Sequence, residues 1–227
     1  MKSQSLPAWA TADAYLFDID GTLLNGRDAV QYFAFRHAVR EIFGRDATID
    51  GVLVHGNTDV GILRAVLRRE GVTDADFDSR LPELVAAMCH HAMLNEADIR
   101  VDICPSIHGL LERLRDGGKI LGVASGNLET IGWAKIKAAG LREFFQFGAF
   151  SDRQELRENI FRDGIAKARA IAGENASVMI VGDTPSDIEA AKKAGIPVVS
   201  VATGKFSREE LSALGPDLCV TCCTELL

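Results

Sequence analysis

Residues able to do chemistry follow three apolar segments of this sequence, each at the point where a buried strand would give way to a loop. Asp18 and Asp20 come after the first segment, and Asp183 and Asp187 come after the last. Carboxylates brought together without counter-charges repel one another and raise each other's pKa. Four of them in one crevice are therefore typical of a divalent-cation site, most naturally for Mg²⁺, which prefers hard oxygen ligands. The cation would also draw an anionic phosphate group into an acidic crevice.

The two-residue spacing of Asp18 and Asp20 allows both side chains to point into one cavity, because the chain turns there from strand into loop. One carboxylate can then attack a substrate while the other transfers protons. Ser125 and Asn127 follow the second apolar segment, and their small polar side chains could hold phosphate oxygens together with the backbone N–H of Gly126.

Buried strands alternating with helices would position these residues. Apolar segments cover residues 14–20, 119–124, 177–181 and 197–201, and helical periodicity covers residues 106–115 and 187–194. This order predicts an α/β fold with a Rossmann-like parallel sheet core and helices on both faces. Ligands of such open sheets bind at the carboxyl ends of the strands, where the polar residues fall. Asp187 has a second interpretation beside a role in the acidic crevice, because an Asp at the start of a helix often serves only as a cap.

Residues 25–97 differ from this pattern and predict an inserted all-helical cap. Apolar residues recur there at helical spacing, as in Val60, Leu63, Val66 and Leu67, and no strand pattern is evident. We therefore expect a core formed by residues 1–24 and 98–227, with a helical cap domain formed by residues 25–97. A length of 227 residues fits one good-sized core with a smaller inserted lobe.

The composition limits the classes of function. Acidic residues outnumber basic ones by 32 to 25, and the net charge of −7 argues against a general nucleic-acid-binding protein. No apolar run approaches the roughly 18 residues of a membrane span, and the N-terminus lacks the pattern of a secretory signal. Five cysteines in a chain of this length do not suggest a disulfide framework. We therefore expect a cytoplasmic protein with no membrane or nucleic-acid partner.

Three short motifs make the chain resemble the haloacid dehalogenase-like hydrolases. The first motif of that superfamily is similar to Asp18-Ile19-Asp20-Gly21-Thr22-Leu23, the second to Ser125-Gly126-Asn127, and the fourth to Gly182-Asp183-Thr184-Pro185-Ser186-Asp187. The resemblance covers roughly residues 14–227 and is nearest in layout to phosphoglycolate phosphatase-like members, which carry a helical cap after the first motif. It implies Mg²⁺-dependent hydrolysis of a small phosphate monoester, a phosphoglycolate-like metabolite, through an aspartyl phosphate.

The resemblance also implies a role for each residue of the motifs. Asp18 would be the nucleophile, and Asp20 would protonate the leaving alkoxide and then deprotonate the attacking water. Asp18, the backbone carbonyl of Asp20, and Asp183 would bind Mg²⁺, with Asp187 in or next to that shell. Ser125 would hydrogen-bond the transferring phosphoryl group. Further contacts to the substrate are expected from Thr22, Gly126 and Asn127.

The third motif of the superfamily, usually a Lys that leads a helix, has no evident Lys-Pro counterpart. Arg157 is the first candidate for this cation, and Arg153 and Lys167 are the alternatives. An Arg suits the role because it stays charged and can hold two phosphate oxygens at once. In the insertion, Thr58 and Asp59 are suited to capping a helix. The resemblance places their Gly-x-Thr-Asp segment over the active site, where both residues would contact the leaving group.

Other reactions on similar residues stay open. A phosphoglucomutase-like enzyme on the same fold would return the phosphoryl group to its substrate. A non-enzymatic phosphoacceptor domain would also bind Mg²⁺ and take phosphate on an Asp, although a long helical insertion would cover the face that it needs. A dehalogenase would require neither a metal nor Asp20. We expect the partner to be a small phosphorylated metabolite and the chain to be a monomer or homodimer.

Overall fold

A six-stranded parallel sheet forms the centre of the computed structural model, which describes residues 8–227. The strands are β1 (Ala14–Phe17), β2 (Leu24–Gly26), β3 (Val101–Ile103), β4 (Ile120–Ala124), β5 (Phe147–Ala149), β6 (Val178–Gly182), β7 (Val198–Val201) and β8 (Leu218–Val220). The helices are α1 (Val30–Phe43), α2 (Asp59–Arg69), α3 (Asp74–Leu94), α4 (Ile107–Asp116), α5 (Glu129–Ala138), α6 (Arg157–Ala172), α7 (Pro185–Ala194) and α8 (Arg208–Ala213). The order in the main sheet is β5-β4-β1-β6-β7-β8, and each neighbouring pair runs parallel.

Each face of the sheet packs against its own layer of apolar side chains. Successive residues of β1 alternate between the layers: Tyr15 and Phe17 lie in one hydrophobic cluster, and Leu16 lies in the other. Both faces of the strand are therefore buried, which explains why the segment reads as a continuous apolar run. The predicted Rossmann-like α/β core is confirmed. Strand β5 was not predicted, because its three residues, one of them Gly148, are too few to show a period of two.

The three helices α1, α2 and α3 follow one another in the chain between β2 and β3 and pack together apart from the sheet. They share a hydrophobic cluster that includes Phe35, Leu63, Phe77 and Leu84. An antiparallel pair formed by β2 and β3 lies where the chain enters and leaves this region. The expectation that no strand falls within residues 25–97 was therefore wrong at its first two residues, which belong to β2. No helix between residues 8 and 227 combines the length and the hydropathy that a membrane crossing requires.

Candidate active site

The carboxyl ends of three adjacent strands meet at one cavity. Asp18 follows β1, Ser125 follows β4, and Asp183 follows β6, while β1 pairs with both of the other strands. Because the three strands run parallel, the residues after them lie at the same edge of the sheet. The cavity has a volume of about 350 Å³, and residues of the helical insertion complete its wall.

Three carboxylates, here called the acid triad, lie together at this edge of the sheet. Oxygen atoms of Asp18, Asp183 and Asp187 all lie within 4.8 Å of one another, and the three side chains are buried. The Thr22 hydroxyl donates to Oδ1 of Asp183 at 2.9 Å. Gly21 adopts a φ of +84°, and a Cβ there would lie 2.2 Å from Oδ2 of Asp183. A side chain at position 21 would therefore push Asp183 out of the triad.

Burial raises the pKa of two members of the acid triad. The pKa of Asp18 rises to about 6, because burial and the charge of Asp187 outweigh the attraction of Arg157. Burial and the repulsion of Asp18 and Asp187 raise the pKa of Asp183 to about 8. Three buried carboxylates facing one guanidinium thus leave negative charge unbalanced at this edge of the sheet.

Arg157 supplies that guanidinium from the first turn of α6. Its Nη2 forms an ion pair with Asp18, and its Nε donates to Oδ1 of Asp187 at 2.7 Å. Burial opposes the charge, but the attraction of Asp18, Asp187 and Asp183 raises the pKa of Arg157 above its usual range. Nη2 is buried and carries two N–H groups, so it can face Asp18 and still donate to a ligand oxygen.

The other two candidates for the third-motif cation lie elsewhere. Arg153 is exposed, and it is not among the residues that line the cavity. Lys167 donates to the carbonyl of Gly148 and forms an ion pair with Asp163. Of the three candidates, the structure brings only Arg157 to the acid triad.

The acid triad has the chemistry of a divalent-cation site. Its donors are carboxylate oxygens, which are the ligands that Mg²⁺ prefers. Three buried acids face one guanidinium, so a bound cation would relieve their repulsion. The residues present therefore fit the predicted metal.

Asp20 does not join the triad and belongs to a second polar group. Nζ of Lys135, on α5, lies 2.9 and 2.8 Å from the two carboxylate oxygens of Asp20. The same ammonium donates to Oδ1 of Asn127 at 2.9 Å, and Nδ2 of Asn127 donates to Asp20 at 2.7 Å. Asn127 also donates to Oγ of Ser125 at 2.9 Å. These contacts hold the Asp20 carboxylate against the loop that follows β4.

Lys135 is the site residue that sequence reasoning missed. Its side chain is only 11% exposed, although it lies on a helix whose other basic residue, Lys137, is 72% exposed. A signal was present, because Lys135 falls on the same helical face as the buried Ile131, four residues earlier. A Lys at a position that helical periodicity assigns to the buried face requires a partner, and here the partner is Asp20.

The insertion contacts the core directly through Asp59. Its carboxylate accepts from the backbone N–H of Leu128 at 2.8 Å and from Nε2 of Gln31, while its own backbone N–H donates to the carbonyl of Gly126 at 2.7 Å. Burial raises the pKa of Asp59 to about 6, against the attraction of Lys135. A Cβ at Gly126 would lie 2.5 Å from the carbonyl oxygen of Asn57, so only glycine permits this close approach.

The cavity contains most, but not all, of the residues that the sequence singled out. Those that line it are Asp18, Asp20, Asp59, Ser125, Gly126, Asn127, Arg157 and Asp183. Two predicted substrate contacts, Thr22 and Thr58, are not among the lining residues. Thr22 is fully buried and holds Asp183 instead. The Thr58 hydroxyl caps α2 by accepting from Gly61, and it donates to the carbonyl of Glu155.

Comparison with known proteins agrees with this geometry. The family model for "Haloacid dehalogenase-like hydrolase" matches residues 15–201. The chain is 29% identical over 219 residues to a phosphoglycolate phosphatase of Synechococcus elongatus, covering 94% of this chain and 95% of the relative. It is likewise 29% identical over 195 residues to a phosphoglycolate phosphatase of Mesorhizobium japonicum, covering 85% and 84%. Its fold is similar to that of CbbY from Rhodobacter sphaeroides, solved in complex with phosphate, with a TM-score of 0.69, 22% identity, and coverage of 95% and 96%.

Proposed function

The chain belongs to the haloacid dehalogenase-like hydrolase family, and we propose that it is a Mg²⁺-dependent phosphatase that hydrolyses a small phosphate monoester through an aspartyl phosphate on Asp18. The observation that carries this proposal is the buried acid triad with Arg157 beside it, at the edge of a cavity. Acids, a single cation and a cavity are the components that phosphoryl transfer requires, since positioning and charge stabilisation dominate that reaction.

Asp18 begins the reaction in this proposal. One of its carboxylate oxygens attacks the phosphorus atom, and the bond from phosphorus to the ester oxygen breaks. Asp18, Asp183 and the backbone carbonyl of Asp20 would hold Mg²⁺, with Asp187 in or next to its shell. When bound, the ion would supply positive charge that offsets the charge of the phosphoryl oxygens. Arg157 adds to this effect, because Nη2 faces Asp18 with one N–H and has a second N–H that can donate to a phosphoryl oxygen.

Asp20 moves the protons in both halves of the reaction. It gives its proton to the ester oxygen as the alcohol leaves, and it then takes a proton from the water that attacks the aspartyl phosphate. The second step releases inorganic phosphate and regenerates the Asp18 carboxylate. Lys135 and Asn127 act as positioning residues, because their hydrogen bonds fix the Asp20 carboxylate at the cavity.

Ser125 and the insertion complete the site. The Ser125 hydroxyl and the backbone of Gly126 line the cavity beside Asp18, and we assign them to binding the phosphoryl oxygens. Residues 25–97 serve as a cap domain over a core of residues 1–24 and 98–227, of which residues 1–7 lie outside the part of the chain that the structure describes. The shared hydrophobic cluster of α1 to α3, and their contribution to the cavity wall, support that division.

Phosphate release from 4-nitrophenyl phosphate and a panel of phosphorylated metabolites tests the proposed reaction. We expect turnover with Mg²⁺, loss of activity in excess chelator, and recovery when Mg²⁺ is returned. Ca²⁺ should support poor catalysis, because its looser coordination shell of 6–8 ligands misplaces the nucleophile. Full activity in chelator would overturn the metal-dependent mechanism.

Two further measurements separate the alternative reactions. A phosphoglucomutase-like enzyme would convert one sugar phosphate into its isomer, so inorganic phosphate would not accumulate in proportion to substrate consumed. A phosphoacceptor domain would release at most one equivalent of alcohol per protein molecule. Sustained release of phosphate in step with the alcohol would exclude both.

A further inference from the structure

The insertion contributes an apolar wall to the cavity. Its apolar lining residues are Phe35 from α1, Ile62 from α2, Met88 from α3, and Ile49 and Val54 from the loop between α1 and α2. Tyr32, one turn before Phe35, extends the same surface. The volume of about 350 Å³ lies within the range of roughly 300–1,000 Å³ that is typical of sites for drug-sized ligands. The wall therefore suits a leaving group larger than a two-carbon acid.

The charges that the insertion contributes to this wall are mainly acidic. Asp28 and Asp59 line the cavity, and no Arg or Lys from residues 25–97 does so. The insertion's His55 is exposed, and burial together with nearby Lys205 lowers its pKa, which favours the neutral ring at pH 7. Lys205, from the core, is exposed to solvent, where an ion pair contributes little.

The two buried core cations in the cavity, Lys135 and Arg157, are already engaged by acids. Lys135 is bonded to Asp20, and Arg157 is paired with Asp18 and Asp187. A carboxylate on the leaving group would thus lose its water without gaining a free buried cation within the described residues, and it would approach acidic groups instead. An apolar leaving group would release water from the apolar wall at no such cost.

We propose that the enzyme selects phosphate monoesters whose leaving group is an uncharged, apolar alcohol of about the size of an aromatic ring. This inference rests on the proposed phosphatase function and departs from the phosphoglycolate-like substrate that the sequence resemblance implies. The wall of Phe35, Ile49, Val54, Ile62 and Met88 sets the preference by contact with the alcohol.

Three esters of primary alcohols test this preference with nearly the same bond broken in each. Benzyl phosphate carries an apolar ring, ethyl phosphate is small and uncharged, and 2-phosphoglycolate is small and charged. We expect kcat/KM for benzyl phosphate to exceed both others by about tenfold or more, the scale of discrimination by an apolar pocket. A kcat/KM for 2-phosphoglycolate equal to or above that of benzyl phosphate would overturn the inference.

A charge placed in the wall tests the residues themselves. Val54→Lys should lower the ratio of kcat/KM for benzyl phosphate to that for 2-phosphoglycolate by about tenfold or more. Leu53→Lys is the matched control, because Leu53 is the neighbouring residue, is 71% exposed and does not line the cavity. It should leave the ratio unchanged. An unchanged ratio in folded Val54→Lys protein would contradict the assignment of the wall.

Inhibition of the wild-type enzyme keeps the inference testable if Val54→Lys fails to fold. Benzylphosphonate should inhibit turnover of 4-nitrophenyl phosphate more strongly than phosphonoacetate, and the reverse order would overturn the inference. The outcomes also separate the two proposals. Absence of Mg²⁺-dependent turnover of every ester would contradict the phosphatase function and the inference together, whereas turnover that prefers 2-phosphoglycolate would contradict the inference alone.

Discussion

The core and the insertion build opposite sides of the cavity wall in different ways. The core side consists of charged groups that pair over short distances, such as Arg157 with Asp187 at 2.7 Å and Lys135 with Asp20 at 2.8 Å. The insertion side presents apolar side chains from three helices and a loop, with Asp59 as one of its polar links to the core. The fixed charges on the core side are suited to phosphoryl transfer. The shape and the apolar surface of the insertion side are suited to selecting a leaving group.

The difference suggests that the reaction and the substrate preference can be changed separately. Substitutions in the core should affect every ester to a similar extent, because all esters share the phosphoryl group. Substitutions in the insertion should alter the ranking of esters. Variants of single residues test whether the rate and the substrate preference change separately. The variants expected to have the largest effects lie in the core.

Asp18→Asn should remove the attacking oxygen while keeping the size of the side chain. We expect turnover to fall by at least about 10³-fold for every ester, the scale seen when a nucleophile is removed. Phosphate release under saturating Mg²⁺ is the measurement, and Asp102→Asn, at an exposed position on β3, is the control. Activity within tenfold of wild type in folded protein would exclude Asp18 as the nucleophile.

Arg157→Ala should have the next largest effect. Its guanidinium faces Asp18 and Asp187, and its loss should lower turnover by about 10²-fold or more, which is typical for one preorganised electrostatic contact. The loss should be similar for benzyl phosphate and ethyl phosphate. Arg153→Ala, at an exposed position, should be much milder. If Arg153→Ala lost most of its turnover and Arg157→Ala lost none, the cation would reach the site from a different part of this segment.

Lys135→Met should weaken the positioning of Asp20 and lower turnover of alkyl esters by up to about 10²-fold, the lower end of the range for general acid–base catalysis. The loss should be smaller for 4-nitrophenyl phosphate, whose leaving group needs no proton. Lys137→Met is the matched control, since Lys137 lies on the same helix and bonds Glu96 at the surface. Equal losses on both kinds of ester would indicate a purely structural role for Lys135.

The core site was largely predictable because its residues follow strands that the sequence marks clearly. Asp18, Ser125 and Asp183 come directly after continuous apolar runs, and parallel strands bring such positions together. Lys135 was missed because its partner, Asp20, lies 115 residues away and only the packing of α5 against the sheet brings them together. The bond from Thr22 to Asp183 was not predicted, because the direction of a side chain in a turn depends on the neighbouring strand, here the one that precedes Asp183.

The insertion was predictable only as a set of helices. Periodicity identified the apolar positions, yet Phe35 and Met88 belong both to the insertion's hydrophobic cluster and to the cavity wall. Which apolar residues face a ligand depends on how the helices sit over the core, and no local pattern encodes that arrangement. The loop residues Ile49 and Val54 carry no period at all. Substrate preference is therefore the part of the function that required the structure.

Asp59 lies where the two regions meet, and its ionisation should change how stable the folded chain is. Its pKa is raised from 3.8 to about 6, so the folded state favours the protonated side chain. That contribution is fully present below pH 3.8 and is lost as the pH rises through 6. Asp59→Asn cannot ionise, so groups that titrate in both proteins cancel when the two are compared.

The free energy of unfolding of the wild type minus that of Asp59→Asn should therefore fall between pH 4 and pH 7, by up to about 3 kcal/mol. Denaturant titrations of both proteins across that range measure it. The variant should be less stable at the acidic end, because its amide NH₂ cannot accept from Gln31 as the carboxyl oxygen does. A difference that stays constant with pH would show that Asp59 ionises as it does in the unfolded chain. A difference that rises with pH would show that the Leu128 amide and Lys135 outweigh burial and lower the pKa of Asp59. Either result would mean that burial does not dominate the ionisation of Asp59 at the contact between the two regions.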